Sequence, residues 1–468
     1  MASGYTGRKI PLNPLSFNGD AVFNQLRRMI RFPLSPTSRL LRDLAGWTLL
    51  GLVPTIWPEL TVWWLLAGIL LVAMALRDAA ALRRRPPLAI ERFIAPALPL
   101  GAWRPVRLRF ENRQAQSATL TVFDHYPTAA ADCADLPQTV TVEPGGWTEL
   151  SYRLRPVVRG PWWFAPVQVW LASPRDWWRR DDRIGEPALV RIYPDFAAIA
   201  RYIRLAAERR EALMGIHRRR RRGEGQTFLQ LREYRIGDSL RQIDWKATAR
   251  VRKPIARDYQ DERNQTVLFL LDCSRRMRAQ DDDLSHFDHA LNAMILLAYV
   301  ALRQGDAVGV QSFGGEQRRL APRSGPGRLT ALINTVYDLQ PTLEPPDYAE
   351  AAQLVLKRQR KRALIVLLTN LRDEDQEELR PAITLLSRRH LVLIANLREP
   401  ALDELLTQPV HDLPQAQLYA TVCHYLLGRE RVQEDLRHCG GILLDAPPQK
   451  LPAAMINQYL DLKRGGRL

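Results

Sequence analysis

The chain has 468 residues, which is enough for two or three domains that each bury a core of their own. It carries 67 Lys and Arg against 50 Asp and Glu, and the net charge of +17 favours anionic partners such as nucleic acid, anionic lipid or an acidic protein surface. Its four cysteines have no CxxC pair and no metal-ligand spacing, which excludes a CxxC-type metal site and indicates reduced thiols in a reducing compartment.

Two apolar runs separated by a Pro-Glu dipeptide predict a transmembrane helical hairpin over residues 40–77. The second run, Leu60–Leu76, has 17 residues without a charge, which is about the lower limit for a helix that crosses a bilayer. The first run, Leu44–Trp57, has 14 such residues and contains Pro54, so it needs its flanking residues or a thin or re-entrant placement. A buried hairpin in a soluble core is the alternative.

Basic residues flank this pair of runs on both sides, whereas the connecting turn holds only Glu59. Because positive residues stay on the cytoplasmic side, we expect residues 1–39 to be a basic cytoplasmic tail and the bulk of the chain to lie in the cytoplasm at a bacterial inner membrane. The apolar run begins past residue 40 and lacks a small-residue cleavage site, which argues against a signal peptide. The flanking basic residues are Arg8, Lys9, Arg27, Arg28, Arg31, Arg39 and Arg42 before the pair and Arg77, Arg83, Arg84 and Arg85 after it.

Residues 88–195 show short alternating runs separated by turn residues, which predicts an antiparallel β-sandwich domain. Such alternation defines a fold class but carries no chemistry. The predicted strands are Val106–Phe110, Thr119–Phe123, Thr139–Val142, Leu150–Leu154 and Val167–Leu171.

Residues 196–262 contain a predicted basic helix followed by a dense polar segment. Nine arginines lie between Arg201 and Arg222, and such a run is typical of a solvated or disordered face. Attraction to anionic lipid is a second interpretation, because a tether keeps this segment near the inner leaflet. Nucleic-acid binding is a third, although no recognised module accompanies the charge. The candidate basic surface comprises Arg218, Arg219, Arg220, Arg221 and Arg222.

The segment Gly225–Arg250 mixes charges and aromatic residues at a density that neither a simple amphipathic helix nor a simple strand explains. Asp238 and Asp244 are candidates to pair with neighbouring arginines in a partly buried network, which is commonly a specificity device. No nucleophile with a base and no metal cluster is apparent, so we expect no catalytic residue here. The candidate partner-binding residues are Arg232, Tyr234, Gly237, Asp238, Arg241, Asp244, Trp245 and Arg250.

From residue 263 to the end, strands and helices alternate, which predicts a Rossmann-like α/β domain with a doubly wound parallel sheet. Thr266–Asp272 is a continuous apolar run, as expected for a parallel strand buried on both faces. Asp272 and Asn370 lie at or just beyond the carboxyl ends of two strands, where ligands bind in such sheets. The other predicted elements are strands Ala307–Phe313, Ala363–Thr369, Leu391–Asn396 and Gly441–Leu444 and helices Phe287–Arg303, Gly327–Leu339, Asp347–Lys361, Glu374–Arg389, Ala416–Arg437 and Lys450–Leu462.

The stretch GQTFLQLREYRIGDSLRQIDWKATARVRKPIARDYQDERNQTVLFLLDCSRRM resembles the signature of the family called domain of unknown function 58. The R-x-Y-x-x-G-D core, the I-D-W triplet, the A-R pair and the D-x-S strand end occur in that order. The layout of hairpin, sandwich and α/β domain is similar too, so the resemblance covers most of the chain beyond residue 40. It implies a terminal domain of the von Willebrand factor A type.

In A-type domains the loop after the first strand reads D-x-S-x-S and holds a divalent cation together with a later Thr and Asp. Here Asp272 and Ser274 match, but Arg276 replaces the last serine and Asn370 replaces the final Asp. The threonine loop corresponds to Glu344–Asp347, which has prolines instead. A hard cation needs more carboxylate oxygens than this set provides, so the resemblance implies a degenerate metal site at Asp272, Ser274 and Asn370. Mg²⁺ binding, helped by Asp347 or Asp373, and a pairing of Arg276 with Asp272 remain alternatives.

The resemblance also implies an accessory role beside a MoxR-type AAA+ ATPase. The leading hypothesis is a membrane-anchored, non-catalytic adaptor or scaffold that docks such an ATPase or its client. The alternatives are a divalent-metal-dependent protein-binding module and an anionic lipid or nucleic-acid binder that uses the arginine run. No HExxH, GxSxG or Walker pattern supports an enzyme.

Overall fold

The computed structural model describes residues 34–86, 88–195, 227–234, 240, 243–260, 265–281 and 284–468. The chain divides into two compact units, a β-rich domain that extends to Ile192 and an α/β domain from Tyr193 to Leu468. Several predicted site residues lie outside the described residues, so their predicted roles stay predictions. They are Gly237, Asp238, Arg241 and the basic surface Arg218, Arg219, Arg220, Arg221 and Arg222.

The apolar region near the start of the β-rich domain forms helices of unequal length. Its elements are strand β1 (Leu34–Pro36), helix α1 (Ser38–Leu50), helix α2 (Val53–Ile56), a 3-10 turn (Pro58–Leu60) and helix α3 (Thr61–Arg84). One helical segment of the described chain, Pro58–Arg84, is long and apolar enough to cross a membrane. The first apolar run is divided between α1 and α2, because a proline in the first turn of α2 begins a new helix there.

The rest of the β-rich domain consists of strands. They are β2 (Ala89–Phe93), β3 (Ala97–Pro99), β4 (Arg104–Glu111), β5 (Ala118–Phe123), β6 (Ala131–Cys133), β7 (Gln138–Val142), β8 (Trp147–Pro156), β9 (Gly160–Phe164), β10 (Val167–Ala172), β11 (Trp178–Ile184) and β12 (Ala188–Tyr193). One sheet has the order β1-β11-β10-β5-β7, a second has β2-β4-β8-β6 and a third has β3-β12-β9. Each of the five predicted strands lies within or coincides with an observed strand.

A single apolar core joins the two larger sheets. Every second residue of β4 is buried, as in Val106, Leu108 and Phe110, and these side chains share the core with Leu120 and Val169 of the facing sheet. Two sheets with period-2 burial that meet over one core have the arrangement of a sandwich.

The α/β domain contains the remaining elements in chain order. They are β13 (Thr227–Glu233), α4 (Trp245–Val251), β14 (Ile255–Gln260), β15 (Thr266–Asp272), a 3-10 turn (Arg275–Arg278), β16 (Gln280–Asp281), β17 (Leu284–Ser285), α5 (His286–Arg303), β18 (Ala307–Phe313), β19 (Arg319–Arg323), α6 (Arg328–Val336), α7 (Tyr348–Arg358), β20 (Leu364–Thr369), a 3-10 turn (Asp373–Asp375), α8 (Gln376–Ser387), β21 (Leu391–Leu397), α9 (Pro400–Thr407), α10 (Leu413–His438), β22 (Gly441–Ala446) and α11 (Leu451–Arg464).

The main sheet of this domain has the order β19-β18-β15-β20-β21-β22. Strands β18, β15, β20, β21 and β22 are parallel, and β19 adds an antiparallel edge. Val267, Phe269 and Leu271 face a core that includes α5, α6 and α11, whereas Leu268 and Leu270 face a core that includes α7, α8 and α10. Burial on both faces explains why the central strands read as unbroken apolar runs.

Several elements of this domain were not predicted from the sequence, and three regions illustrate why. Strand β19 alternates between exposed and half-buried residues, so it lacks the apolar run by which the other strands were recognised. Helix α9 is short and has no fully buried residue. The polar segment after Gly225 contributes strand β13 of an antiparallel pair with β14, and α4 lies between these two strands.

Candidate functional site

The carboxyl ends of β15 and β20 meet in a hydrogen bond between side chains. The two strands are parallel neighbours, with Leu271 opposite Leu368, so Asp272 and Thr369 lie side by side. The hydroxyl of Thr369 donates to Asp272 Oδ2 at 2.6 Å, and the amide of Ser274 donates to Asp272 Oδ1 at 2.8 Å. The order of the strands reverses between β15 and β20, and open α/β sheets bind ligands in the crevice at such a point. In this protein the side chains of Asp272 and Thr369 lie in that crevice.

Asp272 is fully buried, and the donors to its oxygens are neutral. Thr369 also contacts Tyr348, with 3.1 Å between the two hydroxyl oxygens, so the carboxylate heads a short chain of hydroxyls. Burial raises the pKa of Asp272 to about 6, against the opposing effect of these hydrogen bonds. The carboxyl group therefore titrates close to neutral pH.

The loop after Asp272 is held by close packing. Ser274 begins the 3-10 turn, and its hydroxyl accepts from the amide of Arg276 at 3.4 Å. Gly314 has φ +70°, and a Cβ added there would lie 2.9 Å from Ser274 Cβ and 3.2 Å from Asp272 Oδ1. Only glycine allows the chain after β18 to pass this closely.

Thr342 is the threonine that contacts this loop. Its hydroxyl donates to the carbonyl of Gly314 at 2.8 Å and accepts from the amide of Glu344 at 3.2 Å. It precedes the segment Glu344–Asp347, which the resemblance to A-type domains assigns to the threonine loop. Asp347 instead caps α7, accepting from the amide of Glu350 at 2.7 Å.

Arg276 pairs with carboxylates other than Asp272. Its Nη2 atom lies 2.5 Å from Glu374 Oε2 and 3.1 Å from Asp375 Oδ1, and its side chain is 9% exposed. The suggested pairing with Asp272 is wrong for this arrangement, because the guanidinium is engaged by two carboxylates that follow β20. Burial raises the pKa of Asp375 despite this cation.

Asn370 joins a second polar cluster beside the first. Its Nδ2 atom lies 3.2 Å from His286 Nδ1 and 3.1 Å from Glu399 Oε1. Glu399 also accepts from Arg372 Nη2 at 3.3 Å and from the Tyr425 hydroxyl at 3.2 Å. Burial lowers the pKa of His286, so its imidazole is neutral at pH 7.

A cavity of about 390 Å³ opens next to this second cluster. Polar and apolar residues share its wall, and these are Gln280, Asp281, His286, Arg372, Glu399, Pro400, Ala401, Leu402, Thr421, Val422 and Tyr425. Behind Glu399, Arg429 donates to the carbonyl of Leu397 and to Asp445 Oδ1, each at 2.8 Å. The ionisable groups at this edge of the sheet are thus largely paired with one another.

Most candidate oxygen ligands for a divalent cation already accept hydrogen bonds from the protein. Both oxygens of Asp272 accept from protein donors, and the hydroxyl of Ser274 accepts from a backbone amide. The amide nitrogen of Asn370 is engaged, although its Oδ1 atom has no hydrogen-bond partner among the described residues. Within that part of the chain, no group of three His, Cys, Asp or Glu side chains is positioned to hold a metal ion. Cation binding needs several free oxygens that point at one spot.

The signature segment forms a small module of its own, which we define as β13, α4, β14 and the described residues between them. Asp244 caps α4, and its Oδ1 atom accepts from the amides of Lys246 and Ala247 at 3.0 Å each. The amide of Asp244 donates to Ile255 O at 2.8 Å, and the amide of Tyr234 donates to Pro254 O at the same distance. Backbone pairing and a helix cap therefore explain much of the polar density here.

Large apolar side chains of this module are exposed to solvent. Trp245 and Leu240 are each 70% exposed, Val251 is 57% exposed and Leu231 is 47% exposed. Arg250, in the last turn of α4, is exposed as well, and Arg232 Nη1 donates to the carbonyl of Glu233 at 3.2 Å. Exposed large apolar side chains are typical of protein-binding surfaces where they form a patch.

Sequence reasoning identified Asp272, Ser274 and Asn370 but missed the residues that bind them. Asp272 and Ser274 contact each other directly, and Asn370 belongs to the neighbouring cluster. Thr369 could have been predicted from the sequence, because it ends strand β20, the neighbour of the strand that ends at Asp272. Glu399 and His286 gave no such signal, because nothing in the sequence indicates that both lie beside Asn370.

These features define a class of protein: a mixed α/β chain with a β-rich first domain, among its described residues one helix long and apolar enough for a membrane, and a parallel sheet with polar side chains at its carboxyl edge. Residues 230–421 match the model of a family described as protein of unknown function DUF58. This match confirms the resemblance that the signature segment carries.

Three solved structures are each similar to 23% of the chain. Native alpha-2-macroglobulin from Escherichia coli, from domain MG7 to the C-terminus, is 18% identical with a TM-score of 0.20, over 23% of this chain and 17% of that one. A PapD-like domain of human CEP192 is 15% identical with a TM-score of 0.17, over 23% of this chain and 87% of that one. A FixG-related protein from Vibrio parahaemolyticus is 12% identical with a TM-score of 0.17, over 23% and 94%. No curated protein matches the chain.

Proposed function

We propose that the protein is a membrane-anchored, non-catalytic adaptor that docks a MoxR-type AAA+ ATPase or its client. Its α/β domain is of the von Willebrand factor A type with a degenerate metal site, and the bulk of the chain lies in the cytoplasm at a bacterial inner membrane. The sheet order, with the first long strand in the centre and an antiparallel edge, supports the A-type assignment. The basic residues on both sides of the apolar region support the topology.

The observation that carries the proposal is a contrast between the two places where chemistry or binding was expected. At the carboxyl edge of the sheet, Asp272 is buried and hydrogen-bonded to protein donors, which leaves it no route to a substrate. In the signature module, by contrast, Trp245 and its apolar neighbours face solvent. Aromatic side chains of this kind are the residues that contribute most binding energy in protein interfaces.

The decisive experiment captures the partner on the full chain in membranes. The tagged chain is crosslinked and purified, and MoxR-type AAA+ ATPases are quantified by mass spectrometry. Trp245→Ala should reduce recovery of the ATPase several-fold, because it removes the largest exposed anchor of the signature module. Trp163→Ala, which alters a 62% exposed tryptophan of the β-rich domain, is the matched control and should leave recovery unchanged.

Two outcomes contradict the proposal. One is a wild-type chain that recovers no AAA+ ATPase, and the other is equal recovery by the two tryptophan variants. Loss of binding only when Arg218–Arg222 are neutralised would favour the alternative of an anionic surface, whether lipid or nucleic acid. Mg²⁺-dependent capture that is lost in Asp272→Asn would favour the metal-dependent alternative.

A further inference from the structure

We call helices α1 and α2 the first arm of the apolar region, and the following 3-10 turn with α3 the second arm. The β-rich domain holds the first arm through strand β11 and the residue before it. Strand β1 pairs antiparallel with β11, with Leu34 opposite Arg180. One residue beyond β1, the amide of Thr37 donates to Trp177 O at 2.9 Å, and Trp177 Nε1 donates to Asp43 Oδ2 at 2.8 Å. The first arm is therefore fixed to this domain as far as Asp43, near the middle of α1.

The same strand holds the end of the second arm. Trp178 Nε1 donates to Ala75 O at 2.9 Å, and Arg180 Nη1 donates to the carbonyls of Leu82 and Arg85 at 2.9 and 2.7 Å. Leu82 is fully buried in the core that the strands share. The last ten residues of α3, from Ala75, are thus part of the β-rich domain, and both arms leave it beside one strand.

The lengths left free by these attachments are short for a bilayer. If they were helical throughout, at 1.5 Å per residue, the 14 residues Leu44–Trp57 would extend about 21 Å and the 17 residues from Pro58 to Met74 about 26 Å. The hydrocarbon core of a bilayer is about 30 Å thick. Any tilt reduces the reach further.

A paired contact between the arms prevents them from sliding to gain length. The rings of Trp47 and Trp64 stack with centroids 4.5 Å apart and 2° between their planes. Each indole donates to the backbone carbonyl of the other tryptophan, at 3.2 and 3.0 Å. A Cβ added at Gly68 would lie 2.4 Å from the ring of Trp47, so the register requires a glycine there. Because the indole N–H groups are satisfied internally, the pair is suited to hydrocarbon.

The tip between the arms is apolar on its outer surface. Leu52, Ile56 and Trp57 are 64%, 68% and 59% exposed, and Glu59 is the one charge between Leu44 and Leu76. A hairpin tip that is exposed to water would carry several polar side chains instead.

From these contacts and lengths, we infer that the hairpin is re-entrant: it enters and leaves the bilayer from the face that bears the β-rich domain, and its tip ends inside the far leaflet. The partner of this surface is bilayer hydrocarbon. The inference rests on the membrane anchoring in the proposed function and specifies how that anchor is built.

The test measures the depth of the tip in the full chain reconstituted in liposomes. A nitroxide is attached through a noncanonical amino acid at Thr55, which is exposed at the tip, so that Glu59 and the native cysteines are kept. The same label at Arg83, which is exposed near the end of α3, is the aqueous control. Power saturation should give a nickel-complex accessibility several-fold lower at position 55 than at position 83, with oxygen accessibility higher at position 55.

Equal access of the nickel complex to both positions would overturn the inference, because it would place the tip in water. A flotation assay on the same samples separates this failure from a failure of the proposed function. A chain that does not float with the liposomes contradicts membrane anchoring itself, whereas a chain that floats with a water-accessible tip contradicts only the re-entrant path.

Discussion

Asp124 in the β-rich domain and Asp272 in the α/β domain are both fully buried carboxylates, but their hydrogen-bond donors differ. Asp124 accepts hydrogen bonds from Arg92 Nη2 at 2.6 Å, from Arg92 Nε at 3.1 Å and from the hydroxyl of Tyr152 at 2.6 Å. Asp272 accepts hydrogen bonds from the backbone amide of Ser274 and from the hydroxyls of Thr369 and Ser274. One carboxylate has a cation in contact and the other has none among the described residues.

Asp124 forms a structural ion pair, whereas burying the charged form of Asp272 costs free energy of folding. A guanidinium that forms two hydrogen bonds compensates for the lost hydration of Asp124. Around Asp272, burial outweighs the hydrogen bonds from neutral donors, and the pKa of this carboxyl rises. Asp306 shows that the α/β domain also uses cations where it needs stability, because Lys463 Nζ lies 2.8 Å from each of its oxygens. The uncompensated carboxylate of Asp272 thus lies at the edge where the family resemblance implies a site.

The largest expected effect comes from removing the cation of the compensated pair. Arg92→Ala leaves Asp124 buried without its cation and should destabilise the β-rich domain by about 3–5 kcal/mol. Amide hydrogen exchange in β4 and β8 of the full chain measures this locally, because a chain of two domains need not unfold in one step. Arg107→Ala breaks the exposed 3.3 Å pair with Glu149 in the same sheet and should cost less than about 1 kcal/mol. Equal costs would remove the distinction.

Gly314→Ala tests whether close packing, and not a charge interaction, holds the loop after Asp272 in its conformation. The positive φ costs about 1–2 kcal/mol and the clash with Ser274 adds about 1–3 kcal/mol. Gly305→Ala is the matched control, because Gly305 has φ +85° and nothing within 4 Å of an added Cβ. Hydrogen exchange in β15 and β18 should report a clearly larger loss for Gly314→Ala. A loss no greater than in the control would mean that the loop relaxes freely.

Asp272→Ala should destabilise the α/β domain by about 1–3 kcal/mol, because it leaves the Ser274 amide and the Thr369 hydroxyl buried without this acceptor. Asp272→Asn keeps the acceptor for the Ser274 amide and should cost less. Hydrogen exchange in β15 and β20 compares the two variants. If the alanine variant is as stable as wild type, the hydrogen bonds contribute nothing net.

The pH dependence of stability should distinguish Asp272 from its asparagine variant. The folded state retains this proton up to pH about 6, whereas the unfolded chain loses it near pH 3.8. Since the folded state binds more protons in that window, the free energy of unfolding falls as pH rises. Between pH 5 and pH 7 wild type should lose about 1 kcal/mol relative to Asp272→Asn. A pH-independent difference in hydrogen exchange between the two would show that Asp272 is ionised throughout.

Trp245→Ala should have the smallest effect on stability, below about 0.5 kcal/mol, because the side chain is 70% exposed. Its thermal midpoint should match that of Trp163→Ala, while recovery of the partner differs between them. A large drop in the midpoint would mean that Trp245 supports the fold, and a lost partner would then carry no information about docking.

Much of the α/β domain could be predicted because its strands are buried on both faces. Thr266–Asp272 and Ala307–Phe313 have the bounds that their apolar runs indicate. The signature module was not predictable in the same way, because polar residues at a hairpin and a helix cap follow neither hydrophobic period. Asp244 is a candidate for a charge network from the sequence, and the structure shows that its carboxylate caps α4.

The sequence by itself determined which residues form the strands with a clear apolar period and the apolar runs near the start, and it identified Asp272 and Asn370 as residues at strand ends, because these properties depend on local hydrophobic period and length. Only the tertiary structure decided what those residues contact. Asp272 is bound by Thr369, 97 residues away, and Arg180 holds the end of α3 from 98 residues away. Such pairings depend on strand order and register, which no local pattern encodes, so the closure of the crevice and the attachment of both arms to β11 emerge only when the sheets assemble.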